Sequence, residues 1–144
     1  MQEDIIQFAS KHSILILVWL LLFVFVIINF IKIVFSQVNR ITHDEVIRLI
    51  NKKNSVVIDI RSNDEYCKGH IIGALNFPAE DFKKNNFSML KKYKLRHVIL
   101  VCVNDHHSQK LAAFLNTSGF TKVSVLKGGL NSWNNQHLPL VRNK

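Results

Sequence analysis

Apolar positions along the chain follow two different patterns. From Ile14 to Ile28 all fifteen residues are apolar, ILILVWLLLFVFVII. Asn29 interrupts the run, which resumes with Phe30 and Ile31 and, beyond Lys32, with Ile33, Val34 and Phe35. After residue 36 the apolar residues come instead in short bursts set apart by polar punctuation. Thr42-His43-Asp44-Glu45 reads as a capping box, so a helix is predicted with Val46, Ile47, Leu49 and Ile50 on its apolar face. Ser55–Ile60 and His97–Val103 are continuous runs rich in β-branched residues, the pattern of strands covered on both faces. A short helix is predicted from Asn63 to Tyr66, a turn-rich passage from Gly69 to Ala74, and a short strand at Leu75–Phe77 ended by Pro78. Phe82–Lys94 is lysine-rich and predicted helical. Ser108–Thr117 is a helix closed by Gly119, with Leu111, Ala112, Phe114 and Leu115 apolar. Val123–Leu126 is a further strand, and Gly128-Gly129 turns the chain into a last helix around Trp133. Strands alternating with helices predict an α/β domain, a doubly wound parallel sheet with helices on both faces.

The first run has another physical meaning. At 1.5 Å per helical residue, Ser13–Phe35 is long enough to cross a hydrocarbon core of about 30 Å, with Lys32 free to snorkel to the interface. A cleaved signal peptide wants a positive start and a small-residue cleavage site. Here the first ten residues carry Glu3 and Asp4 and no Lys or Arg, and Asn29-Phe30-Ile31-Lys32 offers no such site. The expected organisation is a tail at 1–12, a transmembrane helix at 13–35 and one domain at 36–144. Lys11 is the single cation upstream of the helix, whereas Lys32, Arg40, Arg48, Lys52 and Lys53 follow it. The positive-inside rule then puts the domain in the cytoplasm, with the lipid bilayer as its first partner.

Charge changes this picture little. The net charge is +9, and all of the excess lies after Phe35, where 17 basic residues face 8 acidic ones. Such an excess suits anionic lipid headgroups or nucleic acid. No basic block exceeds two consecutive residues and no stretch interleaves Arg with aromatics, so a solvated surface is expected and no nucleic acid. Cys67 and Cys102 have no metal-ligand spacing, and a cytoplasmic setting suits two reduced thiols.

Candidate chemistry gathers at Cys102-Val103-Asn104-Asp105-His106-His107-Ser108, where a predicted strand turns into a predicted helix. Ligands of doubly wound sheets bind beyond the carboxyl ends of the strands. Backbone N–H groups and a helix N-terminus there can lower a thiol pKa and hold an anion. Spacing alone also permits a plainer reading, Cys102 as a small apolar residue closing a buried strand. Asp59 and Arg61 read as an ion pair ordering the neighbouring loops, and His70 as a turn histidine bonded to backbone. Cys67 reads as a passive thiol and Trp133 as core. His106 and His107 have no third ligand in sight, so neither a metal nor another cofactor is expected.

Two further motifs bear on the choice. Asp59-Ile-Arg61, Glu65-Tyr66, Gly69-His70-Ile71, Gly73-Ala74, Asn76 and Pro78 closely resemble the N-terminal motif of rhodanese-like domains. Val125-Leu-Lys127-Gly128-Gly129-Leu130 with Trp133 resembles their C-terminal motif. The opening MQEDIIQF, the apolar helix and the closing LPLVRNK are similar to membrane-anchored rhodanese-like proteins of Gram-negative bacteria. The resemblance implies sulfur transfer: Cys102 would take a sulfane sulfur as a persulfide and yield it to an acceptor. Six residues from Cys102 to His107 match the family's sulfur-sized loop, one shorter than that of its phosphatase-like relatives. The family loop commonly runs Cys-x-x-Gly-x-Arg, and this chain has Asp105 and His107 in place of Gly and Arg. Asp105 would keep a left-handed turn and raise the thiol pKa by its charge; His107 lacks a guanidinium's permanent fork. Two functions therefore stand side by side, a weak membrane-anchored sulfurtransferase and a non-catalytic module that docks a protein at the inner membrane.

Overall fold

Five parallel strands form one sheet in the order β1-β5-β4-β2-β3. They are β1 (Asn39–Ile41), β2 (Ser55–Asp59), β3 (Leu75–Asn76), β4 (His97–Val101) and β5 (Lys122–Leu126). The helices are α1 (Ser13–Val34), α2 (His43–Asn51), α3 (Asn63–Lys68), α4 (Ala79–Lys83), α5 (Asp105–Thr117) and α6 (Gly129–Asn135), with a 3-10 turn at Ser88–Tyr93. This computed structural model describes residue 7 and residues 11–34, 38–84 and 88–143. The chain divides into two units, Met1–Phe35 and Ser36–Lys144.

Strand periodicity of two sorts the core into two layers. Val56, Ile58, Val98, Leu100, Val123 and Val125 point to one face, under Phe82, Leu90, Ala112, Leu115 and Phe120. Val57, Ile99, Val101, Ile41 and Leu126 point to the other, under Val46, Ile71, Leu130 and Trp133. The continuous β-branched runs therefore belong to strands covered on both faces, the predicted doubly wound arrangement. Trp133 is 3% exposed and its Nε1 donates to the Pro139 carbonyl at 3.3 Å.

Several boundaries differ from expectation. β1 was not predicted: of its three residues only Ile41 is buried, and Asn39 and Arg40 are exposed, so no pattern announces it. β3 stops at Asn76, short of Phe77. β4 stops at Val101, and α5 opens at Asp105 instead of Ser108 because its first turn is polar and carries no apolar period. In place of a helix over Phe82–Lys94, the end of α4 and the 3-10 turn are found, with 85–87 outside the described residues. The 3-10 spacing sets buried Leu90 and partly buried Tyr93 on one side, three residues apart. At Thr42 only half the capping box forms: the Glu45 N–H donates to Thr42 Oγ1, while the Glu45 carboxylate lies 3.6 Å from Arg48. The complete box is at Ser62 and Glu65, opening α3.

The α1 unit is a 22-residue helix, about 33 Å long at 1.5 Å per residue. Ser13–Ile31 is long and apolar enough to cross a membrane, and none of it is buried. Asn29, the break in the apolar run, donates its side-chain amide to the Phe25 carbonyl one turn back at 2.8 Å. Its polar group is thus partly satisfied within the helix, as a lipid environment demands. The expected snorkelling of Lys32 and the stretch 35–37 lie outside what is described, as does most of the tail.

Candidate active site around Cys102

β4 delivers Cys102 to the carboxyl edge of the sheet, half-buried, and the loop is short: Cys102, Val103 and Asn104 precede α5. His106, His107 and Ser108 accordingly lie in the first turns of the helix. What shapes this loop is the Gly128-Gly129 turn. The N–H of Leu130 donates to the Cys102 carbonyl at 2.8 Å, and that of Asn131 to the Val103 carbonyl at 3.1 Å. In a trans peptide the C=O and the following N–H point in opposite directions. Pinning those two carbonyls on α6 therefore turns the N–H groups of Val103 and Asn104 the other way, toward the Cys102 sulfur, where they favour the thiolate.

Only glycine can stand at the contact. Gly129 has φ +60°, and a Cβ there would lie 2.6 Å from both the Cys102 and the Val103 carbonyl oxygens. The glycine pair of the C-terminal motif is thus a support for the cysteine loop.

Burial pushes the Cys102 thiol above its ordinary value; the two backbone donors oppose this, and the charges of Asp59 and Glu65 add to it. The structure corrects the expected role of Asp105. Its carboxylate pairs with Arg40 of β1 and is stabilised by the nearby Gly128 N–H. Burial works to raise that carboxyl, but the Arg40 hydrogen bond, the Gly128 N–H and the Arg40 charge outweigh it and hold the group below the usual carboxylate range. Nor does Asp105 take a left-handed backbone; among described non-glycine residues only Lys53 and His137 have positive φ. It is the first residue of α5, where its charge suits the helix dipole.

Asp59 is 1% exposed and closes β2. Arg61 grips it through Nε at 2.9 Å and Nη2 at 2.6 Å, and Nη2 also donates to the Gly69 carbonyl at 2.6 Å. Asn76 donates to the Asp59 and Arg61 carbonyls at 3.2 and 3.0 Å, fixing the backbone between them. His70 is 5% exposed; its Nδ1 lies 2.8 Å from the Tyr66 carbonyl and its ring stacks on Tyr66 at 3.8 Å. These residues brace the rim through hydrogen bonds and an ion pair.

A cavity of about 660 Å³ opens over Cys102. Its apolar lining is Ile60, Pro78, Ala79 and Leu111, and its polar lining includes Arg61, Glu65, Glu80, Lys83, His107 and Lys110. His107 thus faces the cavity, from an exposed position. Exposed His106 and buried Ser108 do not line it, and the Ser108 hydroxyl has no hydrogen-bond partner. Cys67 lies elsewhere, against Lys68, Arg142 and Asn143, and both thiols are free. Among the described residues no three His, Cys, Asp or Glu side chains gather as a metal site. Sequence reasoning missed Arg40, 65 residues from its partner and without any local signal, and the cavity cations Lys83 and Lys110. Ser62-x-x-Glu65, the box beside the site, was legible as a motif.

Comparison with known proteins agrees with this geometry. The chain is 41% identical to protein YibN of Escherichia coli K12 over 142 residues, 99% of each chain. It is 30% identical to a Buchnera aphidicola protein over 141 residues, 98% of each. The crystal structure of a rhodanese-related protein from Thermoplasma volcanium superposes with a TM-score of 0.64 at 22% identity, covering 73% of this chain and 99% of that one. The family model of the rhodanese-like domain matches residues 42–136, from the cap of α2 to the end of α6. The chain belongs to the rhodanese-like domain family.

Proposed function

We propose that the protein is a slow, membrane-anchored sulfurtransferase whose nucleophile is Cys102. The observation that carries this reading is the cysteine loop at the edge of a cavity, its Cys102 and Val103 carbonyls pinned by α6 so that the N–H groups of Val103 and Asn104 turn toward the sulfur. Those donors stabilise the thiolate and any anionic sulfur attached to it. With thiosulfate, the Cys102 thiolate attacks the sulfane sulfur, a new S–S bond forms, the old one breaks and sulfite leaves with its electron pair. Cyanide or an acceptor thiolate then attacks the outer sulfur of the Cys102 persulfide and releases the thiolate. Lys83 and Lys110, which line the cavity together with the carboxylates Glu65 and Glu80, suit an anionic donor. Slowness follows from the raised thiol and from His107 in place of a permanent cation.

The apolar helix Ser13–Ile31 serves as the anchor in a bacterial inner membrane, and the flanking charges put the domain in the cytoplasm. The raised thiol also favours a second reading, a domain that uses the same cavity to dock a protein and turns nothing over. Thiocyanate formation from thiosulfate and cyanide separates the two. The enzyme reading expects turnover that disappears in Cys102→Ser; turnover absent from the folded wild type, or unchanged in Cys102→Ser, sinks it.

A further inference from the structure

Charge in the domain is sorted along the strand direction. The eight acidic side chains of residues 36–144 stand at the end of β2 or in the first turns of helices, which open toward the carboxyl edge of the sheet; among them Glu45 is near enough for its charge to act on His97. Asp59 closes β2, and the others occupy the first turns of α2, α3, α4 and α5, where the parallel topology places helix starts. The opposite edge is built from residues 51–54, 91–97 and 118–122, which contain no acid. These loops touch one another. Arg96 Nη2 donates to the Lys53 carbonyl at 3.3 Å, the His97 N–H to Asn54 at 3.3 Å, and the Thr121 N–H to Lys94 at 3.0 Å. His97 lies beside Lys122 in the β4–β5 register. Lys52, Lys53, Lys94, Arg96 and Lys122 thus share one edge, and among the described residues none of them has a carboxylate partner. In their midst Leu95, between Lys94 and Arg96, is 88% exposed.

We propose that this amino-terminal edge docks on anionic lipid headgroups, the cations meeting phosphates and Leu95 entering the headgroup layer, with the Cys102 cavity on the opposite edge facing water. Basic residues around one exposed apolar side chain are what an anionic interface binds, each cation adding attraction within a Debye length. β1 runs parallel to the other strands, so the chain enters the domain from this same edge, four residues after α1. The proposal rests on the anchoring reading above. It also implies that the sulfur donor reaches Cys102 from the aqueous side.

Hydrogen–deuterium exchange on the full chain tests it, in nanodiscs of phosphatidylcholine alone and of phosphatidylcholine with phosphatidylglycerol in roughly a two-to-one ratio. Amides of 52–54, 94–96 and 119–122 should exchange at least about threefold more slowly in the anionic discs, and those of 103–107 at the same rate in both. High salt, the triple variant Lys52→Gln/Lys53→Gln/Arg96→Gln and, separately, Leu95→Ser should each erase most of the difference. Equal exchange in the two lipids, or protection centred on 103–107, overturns docking while leaving the anchor standing. A chain that does not enter discs at all overturns both readings. Equal or greater protection of the same segments by an RNA oligonucleotide in neutral discs overturns lipid as the partner.

Discussion

Cys102 needs two environments that oppose each other. In the proposed reaction a half-buried position would shelter a persulfide, but the same burial pushes the thiol up and leaves little thiolate at neutral pH. The N–H groups of Val103 and Asn104 offset part of that cost, and the charges of Asp59 and Glu65 enlarge it. Because the reactive form is the deprotonated one and its pKa is raised, sulfur transfer should climb about tenfold per pH unit from neutrality. It should still be climbing at the ordinary thiol value of about 8.5. A pH–rate profile that levels off near pH 7 would contradict a raised thiol. The second residue-scale prediction concerns the two departures from the family loop. His107→Arg puts a permanent cation on the cavity wall and should increase thiosulfate–cyanide turnover by about tenfold, the worth of roughly 1.4 kcal/mol. Asp105→Gly should bring no such gain, because it breaks the tie to Arg40 and the Gly128 N–H and puts glycine in a helix. About 1–2 kcal/mol of stability should be lost, read by urea unfolding.

At the scale of elements, the central device is the use of one short helix to aim another element's backbone. Gly128 and Gly129 let α6 begin against the cysteine loop, and α6 then holds the two carbonyls whose reverse sides face the sulfur. Gly129→Ala should cost about 2–4 kcal/mol, since a left-handed alanine must also push its Cβ away from two carbonyl oxygens. The surviving folded fraction should lose sulfur transfer as well, measured per folded molecule by circular dichroism and thiocyanate formation. Unchanged activity in that variant would detach α6 from the chemistry. The sequence was readable where a pattern is local. Continuous apolar runs announced β2 and β4, and the C-terminal motif announced the Gly128-Gly129 turn. It was not readable where the signal is long-range or too short. β1 offers three residues with one buried side chain, and Asp105 resembles an intruder in a loop until Arg40 arrives from a strand 65 residues away. The start of α5 was hidden because His106 and His107 have no apolar period.

For the whole molecule, one parallel sheet separates two chemical ends. Helix starts and the end of β2 hold the acids of the domain, and strand starts bring a run of cations to the opposite edge. The chain of 144 residues thus combines a helix able to span a bilayer with a rhodanese-like domain whose Cys102 edge is opposite the edge from which its strands start. The proposed orientation across a membrane rests on Lys11 alone on one side of the apolar helix and five cations, from Lys32 to Lys53, on the other. A green fluorescent protein fused after Lys144 should be bright and alkaline phosphatase at the same place inactive; the reverse pattern would place the domain outside the cytoplasm.

The most direct test of the account is whether Cys102 holds sulfur. Intact-mass spectrometry of the purified full chain after incubation with thiosulfate, followed by peptide mapping, reads this without an acceptor and without turnover. The account predicts a species heavier by one sulfur atom, located on Cys102, lost on treatment with cyanide and absent from Cys102→Ser. A folded chain that gains no sulfur, or gains it on Cys67, would contradict it.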